Sequence, residues 1–569
     1  MPRSVLANVV RQIAAVNQEA RRRGVDLERV IDERRERRIT RRKFLGVTAK
    51  ASLLAGLSGF TTFVSPTAAG AHARIAIVGG GLAGLTCAWR LKQAGFLATI
   101  YEAAGDLGGR CRTRRQYFDE GQVAERGGEF IDTGHLALRR LAYEFGLVLD
   151  DLLAAEPPGT EPFYFFQGNV YSFDEATRDF REIDPTLRAD LRAAGYPTLF
   201  NHYTPRGREL DRTSIVDYLN EIVPGGVGSR LGQLLDVAYN IEYGSETTEQ
   251  SALNLLYLLG YSSTQELQIF GESDERFHIR GGNDQLVSNL GDRLAGQIEL
   301  GAELLAVVRN ADGRITLVLR DDASTKEVVA DKVVLALPFS ILRHSVDLSR
   351  SGFSDLKLTA IDQLGMGTNS KLHLQFVDRH WNKLGCNGES FADTGYQNSW
   401  DVTRAQSGQS GIMVDFTGGI IGARMNRGSV QERARLFLSQ IEPVLPGIGS
   451  NYNGKAALEY WTGYRWTRGS YSNWKVGQYT TFAGIEGKQE GNCHFCGEHT
   501  SIDFQGYMNG AVDTGERAAI EVAKDLGATR SGGPPNSLGD SERNLRATPK
   551  VRSIQWEGRG PITRFVSPA

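Results

Sequence analysis

The sequence predicts an α/β protein in which a Rossmann-like domain is interleaved with a second domain of mixed sheet and helices. Three observations predict it. A short β-branched run, RIAIV (Arg74–Val78), passes directly into a glycine turn, and the turn passes into a helix-periodic stretch. Strand-like and helix-like segments then alternate for about four hundred further residues, and glycine-rich motifs recur at the far end of the chain. At 569 residues the chain is long enough for about two or three domains with sizeable cores.

The chain opens on a basic leader. Residues 1–46 carry 13 basic and 6 acidic side chains, or +7, which leaves −9 for the rest of a chain whose net charge is −2. A basic arm suits nucleic acid or an anionic membrane surface. TRRKFLG (Thr40–Gly46), followed by a moderately apolar run ending in small residues, instead resembles a twin-arginine export signal, with Arg41 and Arg42 as the pair. Lys50 and several Gly, Ser and Thr residues interrupt that run, so it is a poor membrane span. The expectation is therefore an exported protein, periplasmic or extracellular, with no nucleic acid partner and no stable transmembrane segment.

The first βαβ unit comes next. Gly79, Gly81 and Gly84 form G-x-G-x-x-G between a strand and a helix, where glycines permit a tight turn and a close approach to pyrophosphate. Leu82, Leu85, Trp89 and Leu91 mark one face of that helix, Gly95 ends it, and LATIYEA supplies the second strand. Glu102, 23 residues after Gly79, stands where a carboxylate accepts ribose hydroxyls. From about Leu136 to Phe270 the pattern is mostly helical, with breaks expected at Pro157–Pro158, Pro185 and Pro224–Gly226. A helix and strands return from His278 to KVVLALPFSIL, and residues 350–460 mix strands (SKLHLQFV, GIMVDFTG) with a helix around Gln431–Ile441. The tail from about Ala528 lacks apolar periodicity and reads as disordered or lying on the surface. The boundaries implied are a leader over 1–73, a dinucleotide-binding domain from 74–133, 274–340 and 465–527, a substrate domain from 134–273 and 341–464, and a tail over 528–569.

Five scattered cysteines give no disulfide framework. Cys493 and Cys496 form C-x-x-C, but residues three apart on a strand point to opposite faces and no second C-x-x-C completes a zinc site, so the reading is structural and metal-free.

The residues just past Glu102 decide which dinucleotide binds. Leu107-Gly108-Gly109-Arg110, with ERGGEFI (Glu125–Ile131), RGGNDQL (Arg280–Leu286), VVLALPFSIL, SKLHLQF and the block from Cys496 to Ala519, resembles the flavin amine oxidase and protoporphyrinogen oxidase superfamily over about Arg74 to Leu526. The resemblance implies the FAD-binding, glutathione-reductase type of Rossmann domain and an FAD-dependent oxidoreductase acting on CH–NH2 donors. By position, Gly109 and Arg110 would support the pyrophosphate. Gly127 and Gly128 would run under the flavin, with Glu129 beside them. Leu304 would offer backbone groups to adenine, Glu498 would meet the ribityl or pyrophosphate region, and Met508 would open a helix aimed at the pyrimidine end of the ring.

Catalysis would rest on three residues. Tyr471 and Tyr507 match the paired tyrosines that form an aromatic cage for an amine, and Lys371 matches the lysine that holds a water against flavin N5. Ser470 falls where some members carry a cysteine tethered to the flavin; a serine cannot form that thioether, so FAD is expected to be non-covalent. Phe130 takes the place of the arginine that clamps the carboxylate in L-amino-acid oxidases, and Asp132 matches a position that is acidic in some polyamine oxidases. The reading favoured is an amine oxidase producing an imine and, from O2, hydrogen peroxide. An L-amino-acid oxidase and a flavin-binding subunit without oxidase activity are the alternatives. A homodimer is left open.

Overall fold

Parallel strands form the sheet that the opening motif predicts. In the computed structural model, which describes residues 73–261, 267–321 and 324–528, their order is Cys493–Phe495, Lys332–Leu335, Ile75–Val78, Ala98–Glu102 and Ile298–Leu300. All four residues of Ile75–Val78 are buried, as in a parallel strand covered on both faces. The helix after the glycine turn, Leu82–Gln93, packs against the C-terminal helix Met508–Asp525, and Leu82, Leu85, Val512, Ala519 and Val522 share one core. The first and last motifs of the chain thus belong to one layer. The leader lies outside the described residues, as does the tail from residue 529, and so do the expectations attached to them.

A second sheet of seven strands carries the rest: Tyr452–Tyr460, Ser370–Phe376, Gly411–Thr417, Asn398–Asp401, Cys386–Ala392, Glu161–Phe166 and Asn169–Tyr171. It is antiparallel except where Cys386–Ala392 runs parallel to Glu161–Phe166, so the mixed sheet expected from sequence is present. Helices Phe173–Ala194, Ile215–Ile222, Arg230–Tyr243 and Ala252–Leu259 bury Phe180, Leu219, Leu235 and Leu256 in the core beside it. A three-stranded antiparallel sheet, Ala302–Arg309, Ile315–Asp321 and Ser324–Ala330, and three two-stranded sheets make up the remaining strands among the described residues.

Three expectations need correction. Pro185 does not break a helix: Phe173–Ala194 runs through it, started by a capping box between Ser172 and Glu175. Phe180, Ile183 and Leu187, buried on either side, outweigh the roughly 3 kcal/mol that proline costs inside a helix. Helix Leu136–Glu144, assigned to the substrate domain, places Leu138 and Leu141 in the core of the parallel sheet. Likewise Leu342, Ala360 and Leu364, beyond the boundary set at 340, pack with Val333 and Leu335 of that sheet. The apolar periodicity was legible there, but not which sheet it faces.

The five cysteines are free and buried, and burial pushes the Cys493 and Cys496 thiols up to about 12. Among the described residues no cluster could hold a metal, and no helix is long and apolar enough to cross a membrane.

On the strand Gly411–Thr417, Asp415 is buried with one carboxyl oxygen lacking a hydrogen-bond partner, and burial raises its pKa to about 7. The unfolded value is about 3.9, so the folded chain holds this proton more tightly. Stability tied to Asp415 is therefore present below about pH 4, falls as pH rises, and is gone above about 7. Asp415→Asn should melt progressively higher relative to the parent between pH 5 and pH 8. A difference that stays flat with pH would show that Asp415 is already ionised in the fold.

Candidate active site

The nucleotide cradle is built by backbones packed too closely for side chains. Gly79 leaves its strand at φ +109°, and a Cβ on Gly84 would stand 2.0 Å from the Gly79 carbonyl oxygen. Gly81, at the start of the helix, has open space before it. Gly108 forms a β-bridge with Gly81, and Gly109 lies beside it, so the second glycine motif closes on the first. Glu102 is buried and accepts from the amides of Gly80 (2.6 Å) and Ala104 (2.8 Å); burial pushes its carboxyl up and those amides oppose it. Leu304 lies in the strand Ala302–Arg309 beside a bulge, with its side chain in the core.

Arg110 joins the two ends of the chain. Its Nη1 donates to the Ser470 carbonyl (2.7 Å) and to Glu498 (2.8 Å). Glu498 also accepts from the Ser472 amide and hydroxyl and from the Gly506 amide. Four donors fill the lone-pair sites of this carboxylate, so its part is to fix Arg110 and two loops. Burial pushes the Glu498 carboxyl up, but Arg110 and the Ser472 hydroxyl outweigh it and leave it below its ordinary value. The other guanidinium N–H groups of Arg110 meet no protein acceptor among the described residues, which suits phosphate oxygens. Met508 is the first residue of its helix, and a Cβ on Gly128 would lie 2.6 Å from its side chain.

Lys371 points inward, as expected, from the strand Ser370–Phe376. Its ammonium donates to Glu129 (2.6 Å) and the Gly127 carbonyl (2.9 Å). The other oxygen of Glu129 accepts from the Trp400 indole (2.9 Å). The sequence placed Glu129 among the cofactor contacts; here both its oxygens are committed to protein. Phe130 packs on Trp400 at 5.3 Å, with the Arg404 guanidinium over its outer face. Ser470 is locked by its hydroxyl to Asn369 (2.6 Å) and carries no sulfur, so acid precipitation should release all of the flavin into the supernatant. Flavin remaining in the pellet would contradict non-covalent binding.

The two tyrosines converge on one helix end. The Tyr471 hydroxyl donates to the Ile241 carbonyl (3.2 Å) and that of Tyr507 to the Glu242 carboxylate (3.1 Å), at the last turn of Arg230–Tyr243. A Cβ on Gly506, the residue before Tyr507, would lie 3.7 Å from the Tyr471 ring. The pair that the sequence set 36 positions apart therefore stands side by side. Tyr471, Tyr507, Glu242 and Glu275 lie deep in the protein yet keep accessible surface, which makes them walls of an interior space.

Asp132 does not face that space freely. Its oxygens accept from the Glu275 amide and the Ser273 hydroxyl, and His135 lies 3.2 Å away. Burial, with Asp274 adding to it, raises the Asp132 carboxyl to about 7. Sequence reasoning missed Glu242, Glu275 and Trp400. Arginines with the charge to clamp a substrate carboxylate are committed elsewhere: Arg276 to Asp151 (2.6 Å), Arg404 to Glu156 (3.0 Å), and exposed Arg465 over Trp466. His499 packs on Phe339 at 4.5 Å without a hydrogen-bond partner, and burial lowers it to about 3, so it is neutral.

Known proteins resemble this chain in sequence and in fold. The model of the "flavin containing amine oxidoreductase" family matches residues 82–523. Among curated relatives, a nicotine dehydrogenase of Pseudomonas putida is 25% identical over 86% of this chain and 98% of its own length. A putative L-amino-acid oxidase of Bacillus subtilis is 25% identical over 79% and 94%, and the flavin-containing amine oxidase A of Sus scrofa 23% over 81% and 86%. Among solved structures, putrescine oxidase bound to putrescine superposes with a TM-score of 0.69 at 21% identity, covering 79% of this chain and 99% of that one. Cyclohexylamine oxidase from Brevibacterium oxydans gives 0.69 at 20%, over 80% and 99%.

Proposed function

The chain belongs to the flavin containing amine oxidoreductase family, and on that footing we propose that it is an FAD-dependent oxidase of primary amines or diamines, releasing an imine and hydrogen peroxide. The observation that carries this reading is the side-by-side pair Tyr471 and Tyr507, whose hydroxyls are pinned to Ile241 and Glu242. With the hydroxyls held, the ring faces are fixed, and aromatic faces attract a cationic or electron-poor nitrogen.

FAD, when bound, supplies the chemistry by taking a hydride at N5 from the carbon that bears the amine and passing two electrons to O2, which takes up two protons. Gly79, Gly81, Gly84, Glu102 and Arg110 would hold its nucleotide half, and Gly127, Gly128 and Met508 its ring. The tyrosines orient the amine and exclude water from it. Glu242, whose carboxyl burial raises to about 7 with Asp132 adding to it, is a proton acceptor at the edge of the cage for an amine that arrives protonated. Water then hydrolyses the imine to an aldehyde and ammonia.

That Arg276 and Arg404 are committed to Asp151 and Glu156 supports amines over α-amino acids, because it leaves neither guanidinium free to clamp a substrate carboxylate. Export by the twin-arginine route, from residues 1–73, is part of the same proposal. A peroxide-coupled screen of the yellow protein against primary amines, diamines and amino acids tests it. Turnover of amines is expected; turnover confined to α-amino acids would overturn it.

A further inference from the structure

The start of one helix grips the start of another, on either side of Met508. His135, which precedes the helix Leu136–Glu144, lays its imidazole against the Tyr507 ring at 5.0 Å, with the two planes 59° apart. Three residues on, the Leu138 amide donates to the Asn509 side chain (3.0 Å), in the first turn of Met508–Asp525. The same imidazole meets the Phe504 ring nearly at right angles, at 5.6 Å. Phe504 and Tyr507 belong to the loop that runs into that helix, so one side chain contacts the loop at two places.

His135 is itself held firmly. It is 2% exposed, and its Nδ1 accepts from the Asp132 amide (2.9 Å). In a neutral ring the proton then sits on Nε2, which lies 3.2 Å from the Asp132 carboxyl. Asp132 is fixed in turn by the Ser273 hydroxyl (2.8 Å) and the Glu275 amide (3.0 Å). Burial, with Arg139 adding to it, lowers His135 to about 3, so the ring is neutral and sets no positive charge beside an arriving amine.

The Glu242 bond sets where the Tyr507 hydroxyl lies, and the imidazole braces the body of the ring. We propose that His135 is a positioning residue for amine oxidation: held by Asp132, it keeps the Tyr507 ring in the place from which that ring orients the amine. Asp132, which the sequence set against the substrate, acts on it only through His135. The proposal rests on the amine oxidase reading.

The experiment times anaerobic bleaching of the flavin at saturating primary amine. It compares the parent with His135→Ala, His135→Gln, Tyr507→Ala and the double variant His135→Ala, Tyr507→Ala. His135→Ala should slow bleaching by about tenfold to a hundredfold, the upper figure being what a misplacement of about 1 Å can cost. His135→Gln can still accept from the Asp132 amide, so it should melt closer to the parent yet bleach as slowly as His135→Ala. With Tyr507→Ala in place, loss of His135 should slow bleaching no further, because the ring it braces is gone. In crystals of His135→Gln the Tyr507 ring should be displaced from its position in the parent. Flavin absorbance and melting temperature report whether each variant has folded. If His135→Gln bleaches at the parent rate, if the two losses multiply in the double variant, or if the Tyr507 ring has not moved, the proposal is wrong while the amine oxidase reading stands. If the parent is bleached by no amine, that reading fails and takes the proposal with it.

Discussion

Gly84→Val should give a protein without flavin. A Cβ at position 84 would stand 2.0 Å from the Gly79 carbonyl oxygen and 3.2 Å from the Ala336 side chain, so the helix Leu82–Gln93 must lift from the sheet. Lifting it separates Gly81 from Gly108 and opens the cradle in which the pyrophosphate would lie. Neither obstacle is the tip of a flexible side chain, so no rotamer change relieves the clash. The flavin-to-protein absorbance ratio of the purified variant should fall to near zero, with Gly84→Ala intermediate. A fully yellow Gly84→Val would mean that the two glycine motifs do not form the cofactor site.

Lys371→Met should be the most costly single change to stability in the site. The side chains of Lys371 and Glu129 are 7% and 5% exposed, and removing the ammonium leaves a buried carboxylate with only the Trp400 indole as donor. Breaking a buried pair from one side costs about 3–5 kcal/mol. Adding Glu129→Gln to Lys371→Met should return most of that loss, because the second change removes the stranded charge. Thermal unfolding of the two single variants and the double variant measures the coupling. Additive losses would show that the two groups do not share a pair.

How far the sequence reaches depends on the range of the interactions involved. The opening strand, turn and helix were legible because each depends on neighbours: β-branched residues, three glycines at fixed spacing, an apolar face. Arg110 and Glu498 were placed in one site by the resemblance, and the structure adds that they bond to each other. Glu129 was noticed, but its partners Lys371 and Trp400 stand 242 and 271 positions away, and nothing local announces them.

Glu242 did leave a signal. In Arg230–Tyr243 the buried stripe reads Leu231, Leu235, Ala238, and the next position on it is Glu242. A carboxylate on the apolar face of a helix is costly unless something charged meets it, and that mismatch marks a site. Glu275 gave no comparable sign, since it lies outside any periodic element. Pro185 shows the opposite limit, a local rule overruled by the burial of Phe180, Ile183 and Leu187.

An amine held between Tyr471 and Tyr507 should reduce the flavin, and everything proposed for this enzyme depends on that step. Mixing the yellow protein anaerobically with a primary amine or diamine measures it. Complete bleaching of the flavin is expected, with its colour returning on admission of air as one peroxide forms per flavin. The Tyr471→Ala, Tyr507→Ala double variant should lose rapid bleaching. A flavin that stays yellow with every amine, or a double variant that bleaches as fast as the parent, would refute the assignment.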